Sequence, residues 1–393
     1  MRPWTHRAYT LGDPSSARFS LAAQLQQDGY ATLAVTSNRR SSPALNLTQQ
    51  YFDKSVDCAI RYTLGSCLLF HLAPTEAMLV SELRFIIAWT AALDTAMVRL
   101  GLWSPTDHYA PELVLAQAKQ MLRERRVDRP FFLWVHLLPP HDPYAAPEPF
   151  LGHFDAGPLH RTRFDSSPPN LFAAGDDPTF PEAYIGRYDE SLMYVDHHVG
   201  QFFDWLKQNQ LFDEALIVIT ADHGESFSRG YGTHAGPLLH NDLIHIPLLL
   251  KQPHQTQGQR INAVAEQIDL MPTILDMVGI SAQGNLEGQS LQPMLRGEAL
   301  PVTRPIFSMN FMMNSRFGPL RTGTVAMIDG RWKYVHYRGY APSAALPALQ
   351  DELYDLEADP YEEYNVIAQQ VDIAANMKAA IALQLQIHGG RRE

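Results

Sequence analysis

Short apolar runs alternate with amphipathic segments along much of the sequence. The apolar runs suit buried strands, as in "RPFFLWVH" at 129–136, "ALIVIT" at 215–220 and "LIHIPLLLK" at 243–251. Segments such as "PELVLAQAKQMLRERR" at 111–126 place apolar residues at helical spacing. This alternation predicts an α/β fold with a doubly wound, mostly parallel sheet and helices on both of its faces.

The sequence pattern changes near residue 300. "VAMIDGRWKYVHY" at 325–337 contains Asp-Gly between two runs rich in β-formers, which is typical of a hairpin. A strand-like segment and a polar helical segment follow it. We therefore predict an α/β core over residues 1–300 and a small antiparallel α+β subdomain over residues 301–393.

Charge and apolar content exclude two classes of protein. The formal net charge is -11 at pH 7, whereas a nucleic-acid-binding face is normally basic. A membrane-spanning helix needs about 20 mostly apolar residues, and every apolar stretch of that length is interrupted by charged or helix-breaking residues. We therefore expect neither nucleic-acid binding nor a transmembrane segment.

The stretch "IVITADHGESF" at 217–227 takes an apolar strand directly into an acid, a histidine and a glycine. Asp222 offers a carboxylate oxygen and His223 an imidazole nitrogen, a pair that suits a divalent cation. In the alternative interpretation, Asp222 caps the N-terminus of a helix that begins here, since aspartate is favoured at that position.

Polar residues also follow two other predicted strands. Asn38 ends the strand after the first helix, and His141 lies in "LPPHDP", where two prolines stiffen the backbone. His234 lies in the glycine-rich "RGYGTHAGP", which suits the wrapping of a small anion. Ligands of open α/β sheets bind beyond the carboxyl ends of the strands, so we expect these side chains to converge. A lone histidine after a strand is, however, often only a hydrogen-bonded structural residue.

Seven motifs occur together in a family order. They are "RPFFLWVHLLPPHDPY", "YDESLMYVDHHVGQFFDWLKQNQLFDEALIVITADHGESF", "LIHIPLLLKQP", "IDLMPTILDMVGI", "LEGQSLQPMLRGE", "DGRWKYVHY" and "ELYDLEADPYEEYNV". Together they closely resemble sulfatases of the alkaline phosphatase superfamily. The resemblance implies an alkaline phosphatase-like fold that hydrolyses a small anionic sulfate ester at a divalent metal. Calcium is the first expectation for that metal, with magnesium, manganese or zinc as alternatives.

The resemblance also implies roles for individual residues. Asp222 and His223 match the late pair of metal ligands. His141 matches the histidine that contacts the substrate or its leaving oxygen, and His234 matches the histidine that contacts the charged group. Asn38 lies near the family's further substrate contacts, although that match is looser.

The sequence departs from the family at its beginning. Sulfatases carry an early pair of acidic metal ligands and a nucleophile in a C/S-x-P/A-x-R motif, whereas "SSPAL" at 41–45 lacks the arginine. We therefore expect a sulfatase without its N-terminal segment, with little or no turnover of its own. The alternatives are a phosphoesterase or phosphoglycerol/phosphoethanolamine transferase of the same superfamily, and a non-catalytic binding protein on the same fold.

Overall fold

The computed structural model describes residues 20–38, 43, 48–58, 110–142, 144, 146–154, 180–227, 234, 236–284, 286–298, 304–311, 314, 320–342 and 348–389. These residues fall into two compact units. One unit comprises residues 25–154 and 180–212, and the other comprises residues 20–24 and 213–389. The predicted boundary at residue 300 stays a prediction. Among the described helices, none combines the length and the apolar character that crossing a membrane requires.

A three-stranded parallel sheet organises the first unit. Its strands are β1 (Ala31–Thr36), β2 (Lys54–Asp57) and β3 (Phe131–His136), in the order β2-β1-β3. Thr36 is paired with His136, so β1 and β3 end at the same level. The chain leaving β1 is then tied to the chain leaving β3, because the Leu138 N–H donates to Ser37 Oγ at 2.9 Å.

Two helices cover one side of this sheet with an apolar core. Helix α1 (Leu21–Gln27) precedes β1, and the covering helices are α2 (Pro111–Glu124) and α3 (Phe180–Gln208). Proline suits the first position of α2, because a helix leaves that N–H without an internal acceptor. The buried side chains of this core come from both strands and helices; they include Leu33, Val35, Val114, Ala118, Met121, Leu122, Phe202 and Leu206. Each large apolar side chain in such a core contributes about 1.5–3 kcal/mol.

Strands β4 (Ile217–Thr220) and β5 (Leu248–Lys251) of the second unit correct one expectation. They pair antiparallel, with Ile217 opposite Lys251, instead of joining a parallel sheet. A parallel pair needs a crossover of a dozen or more residues, usually a helix, but the described helix between them, α4, spans only Asn241–Ile244. Part of the pair is also open to solvent, since the exposed fraction of Leu249 is 56%.

A four-stranded antiparallel sheet forms the rest of the second unit. It consists of β6 (Ile306–Asn310), β7 (Gly323–Asp329), β8 (Trp332–Arg338) and β9 (Glu352–Asp355), in sequence order. The predicted hairpin is confirmed, and pairing of Asp329 with Trp332 leaves Gly330 and Arg331 as the turn residues. Gly330 takes a φ of 56°, which glycine adopts without steric cost. The remaining helices of this unit are α5 (Leu270–Met277), α6 (Gln292–Leu295) and α7 (Val371–Gly389).

The parallel sheet and the separate antiparallel sheet confirm the predicted mixed α/β class. Helix α7 packs its apolar residues on the antiparallel sheet, where Met377 and Ile381 join Val325 and Leu353 in one buried cluster. This helix therefore contributes an apolar core to the antiparallel sheet.

Asp351 links this sheet to α7 through polar contacts. Its carboxylate accepts hydrogen bonds from the Tyr334 hydroxyl at 2.6 Å, His336 Nδ1 at 2.9 Å and Lys378 Nζ at 2.8 Å. Burial by itself would raise the pKa of Asp351, but the hydrogen bonds from His336, Lys378 and Tyr334 outweigh it and lower that pKa. The ionised carboxylate is thus the form that the fold stabilises.

Replacing Asp351 should therefore have a pH-dependent effect on stability. We expect Asp351→Asn to lower the free energy of unfolding by about 2–3 kcal/mol at pH 7, since hydrogen bonds to a charged group are lost. A lowered folded-state pKa gives stability that is present above the unfolded pKa of about 3.9 and lost as pH falls below it. Urea unfolding at several pH values should show the difference between wild type and variant shrinking from pH 5 towards pH 2. A difference that does not change with pH would contradict this account of Asp351.

Candidate metal and anion site

The chain leaves β4 without starting a helix. Residues 221–227 are irregular in backbone conformation, so the N-cap interpretation of Asp222 is wrong. The Asp222 side chain is 64% exposed. Its Oδ1 accepts a hydrogen bond from the His223 backbone N–H at 3.1 Å, which fixes the carboxylate beside the histidine.

The His223 ring has a defined orientation and tautomer. Its Nδ1 lies 2.8 Å from the Gly224 carbonyl oxygen, and because a carbonyl only accepts, Nδ1 carries the proton. The lone pair of the neutral ring is then on Nε2, which lies 3.8 Å from Asp222 Oδ1. That separation is too long for a hydrogen bond. One cation with ligand distances of about 2.0–2.6 Å can bind both atoms.

His234 lies against His223 in the same unit. The two imidazole rings stack, with centroids 4.3 Å apart and planes inclined by 17°. His234 Nδ1 lies 3.1 Å from both carboxylate oxygens of Glu225, so this nitrogen donates to the carboxylate and Nε2 is the ring atom at the opposite side. The Glu225 side chain is only 5% exposed.

Glu225 is a residue that sequence reasoning did not assign. Its signal was its place two residues after His223, in the polar segment that directly follows β4. The structure therefore adds a carboxylate that holds His234 in place, beside the ring of His223.

Hydrogen bonds to α4 hold the 221–227 loop in place. The Gly224 N–H donates to the Leu243 carbonyl at 2.8 Å, and Ser226 Oγ donates to Asp242 Oδ2 at 2.6 Å. A Cβ on residue 224 would lie 2.0 Å from the Asp242 carbonyl oxygen. Glycine is thus required at position 224 by close backbone approach.

The predicted residues of the other unit follow the ends of β1 and β3. The Asn38 backbone N–H donates to Thr36 Oγ1 at 3.0 Å. His141 Nδ1 lies 2.7 Å from the Asp142 carbonyl oxygen and 3.0 Å from Asp142 Oδ1, so Nδ1 is again the protonated nitrogen. Asp142 was also missed from sequence, although it directly follows His141. The expected convergence of these residues with Asp222 stays a prediction.

Comparison with known proteins gives family and fold. A family model described as Sulfatase matches residues 2–280, and one described as N-sulphoglucosamine sulphohydrolase, C-terminal, matches residues 230–387. The choline-sulfatase of Rhizobium meliloti (strain 1021) is 28% identical over 255 residues, covering 61% of this chain and 46% of that protein. Arylsulfatase K of Xenopus laevis is 30% identical over 178 residues, covering 44% and 32%.

A solved structure extends the likeness to nearly the whole chain. The phosphonate monoester hydrolase SpPMH from Silicibacter pomeroyi superposes with a TM-score of 0.67 at 22% identity, covering 98% of this chain and 83% of that one. At this identity the likeness shows the fold alone. The chain spans about half or less of the length of the two curated relatives above.

Gly224→Ala should displace the 221–227 loop. We expect the free energy of unfolding to fall by about 1–3 kcal/mol, because the new methyl group overlaps a backbone oxygen that cannot rotate away. The matched control is Gly200→Ala in α3, where a Cβ would have no heavy atom within 4 Å. That control should gain about 0.5–1 kcal/mol, since alanine replaces glycine inside a helix. Equal stability of the two variants in urea unfolding would refute the close approach at Gly224.

Proposed function

This chain belongs to the sulfatase family, and we propose that it serves in the hydrolysis of a sulfuric ester at a divalent metal ion bound by Asp222 and His223. The observation that carries the proposal is the arrangement of these two side chains. A nitrogen lone pair and a carboxylate oxygen lie 3.8 Å apart, and the opposite ring nitrogen is fixed by a carbonyl. Metal-binding histidines commonly donate their second N–H in this way.

The Asp222 carboxylate and the His223 imidazole form a donor set that suits a divalent cation. A carboxylate oxygen is a ligand for hard cations such as calcium, and an imidazole extends the choice to manganese or zinc. We propose calcium first. When bound, such an ion would stabilise the negative charge that gathers on the sulfuryl oxygens during ester cleavage.

His234 is proposed to contact the sulfuryl group. Its Nδ1–H is held by Glu225, and in the imidazolium form of the ring Nε2–H is the group that donates to an anionic oxygen. Stacking on His223 fixes the plane of the ring and places it beside the cation-binding pair. A donor that is oriented before the substrate arrives loses little free energy to reorganisation during the reaction.

His141 and Asn38 are proposed to serve the ester oxygen and the rest of the substrate. His141 Nδ1–H is anchored by Asp142, so that the imidazolium form can give its Nε2 proton to the departing alkoxide and become the neutral ring protonated at Nδ1. Asn38 is held just past the end of β1 by its backbone, and its amide can donate to or accept from a substrate hydroxyl.

The alternative, a phosphoesterase or phosphotransferase, would prefer a phosphate ester to a sulfate ester. Binding of an aryl sulfate and of an aryl phosphate to metal-loaded protein separates the two proposals. Metal-dependent binding that favours the sulfate supports a sulfuric ester hydrolase, and a preference for the phosphate supports the alternative. Turnover of either ester distinguishes an enzyme from a binding protein.

Asp222→Ala should weaken metal binding without unfolding the protein. Calorimetric titration of wild type with calcium, magnesium, manganese and zinc should show binding to the folded chain. Loss of one ligand carboxylate should reduce affinity for the tightest-binding ion by about tenfold or more. Thermal melting without metal should change little, because Asp222 is exposed and does not cap a helix.

The control for this titration is Asp204→Ala, an exposed aspartate of α3 that pairs with Lys207. It should bind metal as the wild type does. If Asp222→Ala also keeps wild-type affinity, Asp222 is not a ligand and the proposed site is wrong.

A further inference from the structure

We propose that Lys333 and Glu362, which form a buried ion pair, are positioning residues for the metal-binding loop at 221–227. The inference rests on the proposed metal site. It assigns a supporting role to two residues of the second unit that are not proposed ligands. The pair acts through α4, which lies between it and the loop.

The ion pair is fully enclosed. The Lys333 side chain is 0% exposed and that of Glu362 is 1% exposed, and their charged groups are in direct contact. Burial lowers the pKa of Lys333, and the nearby carboxylates of Glu362, Asp242 and Glu352 oppose this effect. Taking two charges out of water costs several kcal/mol per ion, so contacts of good geometry must hold the pair in place.

Both members of the pair bind the first residue of α4. Lys333 Nζ donates to the Asn241 side-chain oxygen at 2.9 Å. The Asn241 backbone N–H donates to Glu362 Oε2 at 2.6 Å. Glu362 takes a φ of 57°, a left-handed conformation that non-glycine residues adopt only where their surroundings impose it.

Helix α4 passes this constraint to the loop. Its second residue, Asp242, accepts the Ser226 hydroxyl and packs its carbonyl against Gly224. The next residue accepts the Gly224 N–H. These contacts lie on either side of Glu225 and directly after His223, so a shift of α4 moves His223 and also Glu225, which holds His234.

A helix of four residues cannot hold itself in position. Isolated helices shorter than about 12–15 residues are marginal in water, so α4 depends on what is attached to it. Uncharged side chains of similar volume often replace a buried ion pair without loss of stability. The specific contribution of the charges is therefore the pair of polar contacts to Asn241, which set where α4 lies.

The double variant Lys333→Met/Glu362→Gln tests this role. It keeps the shapes of both side chains and removes both charges of the ion pair. We expect melting within a few degrees of wild type, and calcium affinity reduced about tenfold, as for loss of contacts behind a ligand. Calorimetry would use calcium, or whichever of magnesium, manganese and zinc the wild type binds most tightly.

The matched control is Tyr334→Phe, on the neighbouring position of the same strand. Tyr334 donates to Asp351, so its loss weakens the same sheet while leaving Asn241 untouched, and metal affinity should stay at the wild-type value. If the double variant does not fold, Asn241→Ala replaces it, since this change removes the Lys333 acceptor and keeps both charges paired.

The outcomes separate this inference from the proposed function. Wild type that binds none of the four ions overturns the metal site and this inference with it. Wild type that binds metal, beside a folded double variant (or Asn241→Ala) of equal affinity, overturns the positioning role alone. Reduced affinity in the variant, with Tyr334→Phe unchanged, supports it.

Discussion

The 221–227 loop depends on one close approach between backbones, in which the Asp242 carbonyl occupies the space of a side chain on residue 224. Only glycine permits this contact, and the contact brings the Gly224 N–H to its acceptor on α4. The loop is therefore supported by a second piece of backbone instead of by its own secondary structure. This support can hold the polar side chains of Asp222, His223 and Glu225 at fixed places although the segment is irregular.

The anchoring of the histidines follows a common rule. His141, His223 and His234 each direct Nδ1 at an oxygen acceptor on a residue close in sequence. Since carbonyl and carboxylate oxygens only accept, the proton is on Nδ1 in all three rings. In the proposed roles Nε2 is the acting nitrogen of each ring. It would supply a lone pair to a cation at His223, and a hydrogen bond from the imidazolium form at His234 and His141. A carboxylate (Glu225 or Asp142) supplies the acceptor wherever a proton donor is needed.

Local patterns in the sequence predicted much of the fold. Helical periodicity located α2, continuous apolar runs located β3 and β4, and the Asp-Gly signal located the hairpin to within one residue. The relative direction of paired strands was harder to predict, because an apolar run has the same pattern in a parallel and an antiparallel pair. Strands β4 and β5 pair antiparallel. The N-cap interpretation of Asp222 failed for a similar reason, since capping residues also suit irregular loops. Asn241 is 92 residues from Lys333 and 121 residues from Glu362 in sequence. No local sequence pattern reveals contacts over such separations.

We propose that His223 offers Nε2 to a divalent cation while Nδ1 keeps its proton. Nitrogen-15 NMR of the labelled histidine rings measures both atoms directly, before and after addition of diamagnetic calcium or zinc. The His223 Nε2 resonance should shift when the ion is added, while Nδ1 stays protonated throughout. A His223 ring that carries its proton on Nε2, or whose resonances do not respond to any ion that the protein binds, would show that His223 is not a ligand of this kind.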